Sequence, residues 1–293
     1  MNKWKLGIGA ASLALILAAC QDTAQPVDGE EGNTDSDSNS DESSNSELTL
    51  EEVFAKSIEA GEDVNSMKAE MTLDQDMTIP NEDLTVTTAS DIQMDMVMEP
   101  LGLYQESVTT SDQMGETEEI QAEVYFTEEG FFMYDTASDQ WMKLPTEMSD
   151  ELLQMSDAQS NPNEQLRDLE QFTDDFTFEQ DDSSYILTLN ASGEKFSEFL
   201  REQAKEQMPD TGTDESMDEL FSDVDFEDVM YKIFIDKETF LPSSLTMDMT
   251  MVMEMEGESL TLVQNTEANY LEYNHMDEIT IPQEVLDTAT EVQ

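Results

Sequence analysis

The chain has 293 residues, 70 of them acidic and 11 basic, for a formal net charge of −59 at pH 7. A field of that sign repels nucleic acid, anionic lipid and anionic wall polymers, because phosphate recognition needs lysine and arginine to displace counterions and no basic cluster is present. One histidine and one cysteine exclude zinc sites built from those residues and any disulfide within the chain, and a Cys/His nucleophile pair would have to use Cys20 and His275.

Residues 1–19 read as a signal peptide, with Lys3 and Lys5 ahead of an apolar run from Leu6 to Ala19. That run is shorter than the roughly 20 apolar residues a helix needs to cross the hydrocarbon layer, so removal is the better reading. Leu17, Ala18, Ala19 and Cys20 resemble the bacterial lipobox, whose cysteine becomes the lipidated first residue of the mature protein. Lipid on Cys20 would make the membrane a partner and hold the chain at the outer face of the cell membrane, outside the cytoplasm. Residues 20–47 hold almost nothing apolar and are expected to form a disordered acidic tether. A neutral flexible chain of that length spans roughly 30 Å, and self-repulsion should extend it. Asp35, Asp37, Asn39 and Asp41 have the alternate spacing of a calcium loop. Ser40 and Ser46, however, stand where its glycine and bidentate glutamate belong, so no metal site is expected there.

Residues 48–293 are long enough for one large domain with a sizeable core. Thr49 and Glu52 form a capping box ahead of Leu50, Val53, Phe54 and Ile58, which predicts a helix over about 50–60 closed by Gly61. The period then drops to two. Met67, Ala69, Met71, Leu73, Met77 and Ile79 alternate with polar residues, and Leu84, Val86, Ile92, Met94, Met96 and Met98 repeat the pattern. Further strands are expected near 101–110, 120–127, 130–135 and 140–144, as an antiparallel meander. Two short helices fit residues 146–172, and strands follow near 175–180 and 184–190. Phe196, Phe199, Leu200 and Gln203 mark an amphipathic helix ended by Met208 and Pro209. Residues 210–227 are acidic and ambiguous, and strands return at about 229–235, 243–255 and 259–273.

Methionine is the most unusual choice in the composition, with 21 Met against 2 Trp. Met247, Met249, Met251, Met253 and Met255 occupy every second position of one strand, and Met94, Met96 and Met98 make a similar stripe in another. An unbranched, polarisable thioether packs against many shapes, so three uses are open: ordinary core, the lining of a cavity for an acyl chain, or copper ligation. Copper is the weakest of the three, since alternate residues of one strand lie about 7 Å apart and neighbouring strands would have to supply ligands. No cofactor is expected.

No catalytic constellation stands out. His275 lies in the polar stretch from Asn274 to Glu278 and reads as a solvated loop histidine, and carboxylates are too abundant for any pair to be informative. No glycine-rich phosphate loop is present. The chain is therefore not expected to be an enzyme.

The order of elements resembles uncharacterised lipoproteins of bacilli in the LolA and LppX-like superfamily. The local matches are Tyr134 through Trp141, Lys143 and Leu144; Ile235, Asp236, Thr239, Leu241 and Pro242; and the ending Ile279, Ile281, Pro282, Glu284 and Val285. That resemblance implies an α+β fold: a large curved antiparallel sheet, an incomplete β-barrel, with helices packed on its concave side. In some members that side holds acyl chains. Two functions are carried forward. One is a non-catalytic protein that binds a lipid or other hydrophobic ligand in a cavity lined by Met94, Met96, Met98, Met247, Met249, Met251, Met253 and Met255. The other is an envelope interaction or sensor module whose acidic surface meets a basic partner or cations.

Overall fold

The alternating stretches of the sequence become strands of one sheet. In a computed structural model of the protein, residues 23–27, 46–79, 84–113, 115–136, 138–146, 148–149, 166, 169, 172–191, 199, 224–255 and 258–292 are described. The strands are β1 (Gln25–Pro26), β2 (Ser66–Ile79), β3 (Leu84–Val97), β4 (Gly102–Gln113), β5 (Glu116–Thr127), β6 (Gly130–Asp135) and β7 (Gln140–Lys143), then β8 (Phe176–Gln180), β9 (Ser184–Ala191), β10 (Val224–Asp236), β11 (Pro242–Met255), β12 (Glu258–Tyr273) and β13 (Thr290–Glu291). They pair in the order β1-β8-β9-β10-β11-β12-β2-β3-β4-β5-β6-β7-β13, an open, curved 13-stranded sheet with two free ends. All neighbours are antiparallel except the two short edge pairs, β1 with β8 and β13 with β7.

Helix α1 (Leu50–Glu62) begins as its capping box requires. The Thr49 hydroxyl accepts from the Glu52 amide at 3.2 Å, and the Glu52 carboxylate accepts from the Thr49 amide at 2.9 Å. A cap of this type is worth about 1 kcal/mol. The helix buries Leu50, Val53 and Phe54 against Phe178, Leu187, Leu189 and Ile233 of β8, β9 and β10, and the Phe54 and Phe176 rings meet edge to face at 5.5 Å. Burial of each such side chain contributes about 1.5–3 kcal/mol. Leu166 and Leu169, both buried, and the partly buried Phe199 join the same core. These residues are helical, while the rest of the helices expected over 146–172 and 196–203 lies mostly outside the described residues.

A second, smaller core lies at the other end. Tyr125 and Phe132 pack with Ile281 and Val285, the latter from a short helix, α2 (Gln283–Thr288). By strand alternation, Tyr125 and Phe132 point to the sheet face opposite Leu187 and Ile233, through the continuous register from β9 to β6. The helices therefore do not share one concave side as expected: α1 covers one face and α2 the other. The reason is the C-terminal segment, which crosses behind β3 and β4 and lays Ile279 so close to Gly102 that a Cβ there would meet it at 3.0 Å.

Three further expectations change. Residues 23–27, expected to be tether, lie on the domain: Ala24 is fully buried in the α1 core, and Gln25 and Pro26 pair with Glu179 and Gln180. The acidic stretch before residue 229 is in part strand, because β10 begins at Val224 and continues past a bulge between Glu227 and Met230. His275 is not a solvated loop residue. Its Nε2 lies 3.0 Å from Asp95, its side chain is 16% exposed, and its buried Nδ1 has no hydrogen-bond partner. The neighbouring Asn274 holds it there: at φ 55° it accepts from the Asn65 amide at 2.6 Å, and its side-chain nitrogen donates to the Asp63 carbonyl at 3.1 Å.

The hairpin from β10 to β11 turns on Asp236. A hydrogen bond from the Thr239 amide holds its carboxyl below the ordinary carboxylate range, joined by hydrogen bonds from the Thr239 hydroxyl and the Glu238 amide. A depressed folded pKa adds stability that is present above the unfolded value and lost as pH falls through the folded one. The stability gap between wild type and Asp236→Asn, measured by urea unfolding, should therefore be widest near neutral pH and close below about pH 4. Leu187→Ala, in the fully buried α1 core, should cost about 2–5 kcal/mol in the same assay.

Candidate functional site

The methionine rows meet on one face of the sheet. Met247 of β11 pairs with Thr266, Thr266 with Leu73, and Leu73 with Ser90. Side chains alternate along each strand, so Ser90 shares its face with Met94 and Met96 of β3, and Met247 shares its face with Met249, Met251 and Met253. The two stripes, more than 150 residues apart in sequence, are thereby parts of one surface. Its rows run across four strands: Leu245, Ala268, Met71 and Ile92; then Met251, Leu262, Met77 and Val86.

This face is half-buried. Met94, Met96, Met247, Met249, Met251 and Met253 are all intermediate in exposure, neither packed solid nor fully in water. Met98 is also half-buried but lies in the turn after β3, where its amide donates to the Asn65 carbonyl at 2.8 Å. Met255 ends β11 opposite Glu258. At one side the face runs into the α1 core, against which Leu245 and Met249 pack. One polar row interrupts it. Gln75 Nε2 donates to Gln264 Oε1 at 2.9 Å, and Gln264 Nε2 donates to Thr266 Oγ1 at 3.2 Å, so an amide ladder crosses the apolar floor. A broad apolar surface with a few fixed polar groups suits an amphiphile, whose tail is held by area and whose polar end is held by direction.

The opposite face is acidic. Along β2 and β3 the two faces differ consistently, with Glu70, Thr72, Asp74 and Asp76 exposed while Met71, Leu73, Gln75 and Met77 are half-buried. A cavity of about 330 Å³ lies across β12, β2, β3 and β4, where Glu70, Asp91, Gln93, Glu106, Glu267 and Asn269 contribute to its walls. Those residues alternate with Met71, Ile92 and Ser107, which also touch it, so most of its lining belongs to the side away from the methionine floor. Sequence reasoning missed it, because no single strand carries its signal: the carboxylates come together only through the register of four strands.

Beside this region the Tyr104 and Tyr125 rings meet at a tilt, 4.7 Å between centroids, and both hydroxyls donate to Glu123 Oε1, at 3.2 and 3.3 Å. Burial, then the Glu123 charge, pushes the Tyr125 hydroxyl up to about 12. Trp141 lies 5.6 Å from Tyr125 and the group packs under α2, which makes it a structural cluster of the second core. Among the described residues no group of three or more His, Cys, Asp or Glu side chains is placed to hold a metal ion, and no helix is long and apolar enough to cross a membrane. Cys20 lies outside the described residues, as do Asp35, Asp37, Asn39 and Asp41 of the loop resembling a calcium site.

The chain belongs to a family of unknown function, DUF6612, whose sequence signature spans residues 49–290. No curated protein matches it. Among solved structures it is similar to a β-barrel-like protein of the DUF1849 domain from Brucella abortus, at 11% identity and a TM-score of 0.27, over 71% of this chain and 100% of that one. It is also similar to a DUF1329 family protein from Desulfovibrio piger, at 9% identity and a TM-score of 0.23, over 77% and 93% of the two chains. An S-type phycobiliprotein lyase from Guillardia theta follows, at 7% identity and a TM-score of 0.20, over 77% and 94%.

If thioether pliability rather than shape specifies the floor, replacing Met249 and Met251 by leucine should shift the unfolding free energy by less than about 1.5 kcal/mol each. Met251→Asp, which sets a carboxylate on that floor, should cost more, and urea unfolding of the three variants orders them.

Proposed function

We propose that the protein is a non-catalytic lipoprotein, anchored by a lipid on Cys20 at the outer face of the cell membrane, that binds a hydrophobic ligand of the acyl-chain class on its methionine face. The observation that carries this reading is the half-buried floor in which Met94, Met96, Met247, Met249, Met251 and Met253 share one side of the sheet with Met71, Leu73, Met77 and Leu262. Partial exposure leaves apolar area for a ligand to cover, at about 25 cal/mol per Å². Flexible thioethers let that area conform to chains of different length. The Gln75–Gln264–Thr266 ladder supplies the polar contact that would orient a headgroup. An open curved sheet with one apolar face also supports grouping the chain with the LolA and LppX-like proteins that it resembles.

Native mass spectrometry and lipid extraction of protein purified without detergent test this. A lipid adduct is expected, and Met251→Asp should lower its occupancy about tenfold while Met251→Leu leaves it unchanged. Protein that is folded, adduct-free and unable to take up added fatty acid would overturn the reading.

The acidic cavity favours a second reading, a module that meets a basic partner through Glu70, Asp91, Glu106 and Glu267, or gathers cations diffusely over its acidic face. Crosslinking on intact cells distinguishes the two: capture that disappears with added salt and with Glu106→Gln combined with Glu267→Gln is expected of charge-driven contact, whereas lipid binding should survive both.

A further inference from the structure

The chain does not leave the domain at residue 47, where a free acidic tether would end, because residues 23–27 already lie on it. Thr23 bridges to Thr49 beside the start of α1. The Ala24 amide donates to Ser46 Oγ at 3.1 Å, and the Ala24 carbonyl accepts from the Ser46 amide at 3.1 Å and from Gln180 Nε2 at 3.4 Å. The Val27 amide then donates to the Gln180 carbonyl at 3.1 Å, beyond the β1–β8 pairing. Ala24 has no exposed surface at all and belongs to the same core as Leu50, Val53 and Phe54. Residues 23–27 are thus clasped between the lead-in to α1 and the β8 edge, which they also cover against stray strand pairing.

Two consequences follow from connectivity. Residues 23–27 are held on the domain, so the reach of a lipid anchor at Cys20 is set by the residues before Thr23 and not by the acidic run that follows Val27. Only three peptide steps separate Cys20 from Thr23, at most about 11 Å of extended chain in place of the roughly 30 Å of a free tether. We infer that the β1–β8 edge and the N-terminal end of α1 form the membrane-facing end of the domain, held against the lipid surface by a clasped anchor. This rests on the proposed lipidation of Cys20. The occupant is the lipid surface that carries the anchor, since a leash of that length can reach no other. The same edge carries lysine over aromatic rings, with Lys56 5.0 Å from the Phe240 centroid and Lys237 5.3 Å from that of Tyr185, and Tyr185 and Phe240 are stacked.

The test uses the full-length lipoprotein, purified from membranes and reconstituted into phosphatidylcholine vesicles that carry an acceptor dye on a headgroup. A donor is attached through Glu51→Cys in the exposed first turn of α1, or through Glu118→Cys on β5 as a distant control. Strong transfer is expected from the first and weak transfer from the second. Ala24→Glu, which cannot stay buried, should lower transfer from the α1 position at least about twofold as the chain regains its free length. A Gly-Ser segment of about ten residues inserted between Asp22 and Thr23 should do the same without touching the fold, so the inference does not depend on the stability of the Ala24 variant. Equal, weak transfer from the α1 position in wild type and insertion variant, in a chain whose intact mass shows the lipid, overturns the inference and leaves the anchoring standing. An intact mass with no lipid on Cys20 overturns the anchoring, and the inference with it.

Discussion

The register that joins β11, β12, β2 and β3 is the constraint on which the rest of the structure depends. Along these strands the chain alternates methionine or leucine with aspartate, glutamate or threonine, and a slip of one residue would carry carboxylates to the apolar side and thioethers to the acidic one. Antiparallel pairing keeps ten to fourteen consecutive residues in step at each of these interfaces, the shortest run ending at an irregularity near Tyr270. Both candidate surfaces, the methionine floor and the acidic cavity behind it, are products of that single alignment.

A sheet this broad cannot bury both faces along its length, and the protein uses its helices and C-terminal segment where pure alternation runs out. At the β8–β10 end, strands such as β9 carry apolar residues on both faces, with Ile186 and Leu187 both buried, and α1 closes one of them. At the β4–β7 end the aromatic residues turn the other way and the C-terminal segment closes over them through Ile279, Ile281 and Val285. Between the two cores lie the half-buried thioethers of β3 and β11.

A few polar residues hold these coverings in place. Asn274, in a left-handed conformation, ties the end of β12 to the α1–β2 junction, and from there the C-terminal segment can start across the sheet. Ser46 and Gln180 do the same for the N-terminal clasp. Each bond of this kind contributes about 1 kcal/mol. Their larger effect is topological: they bring both ends of the domain back to the sheet, where β1 and β13 form its two outermost strands.

Much of the architecture was legible in the residues. The helix at 50–62, the two long strands that follow it and the closing hairpin of β11 and β12 all announce themselves through a capping box or strict alternation, signals carried by neighbours in sequence. The methionine stripes were visible for the same reason, since one strand displays its whole face every second residue. Other features had no local signal. Residues 23–27 read as tether because a single buried alanine among polar residues says nothing of the groove it fills, and His275 read as solvated because Asp95 is 180 residues away. That α2 packs on the opposite face from α1, that two methionine rows form one floor, and that carboxylates of four strands gather at a cavity were decided by tertiary structure alone. Alternation states which residues of a strand share a side, but which sides of distant strands coincide depends on pairing between segments far apart in the chain, and no stretch of sequence contains that pairing by itself.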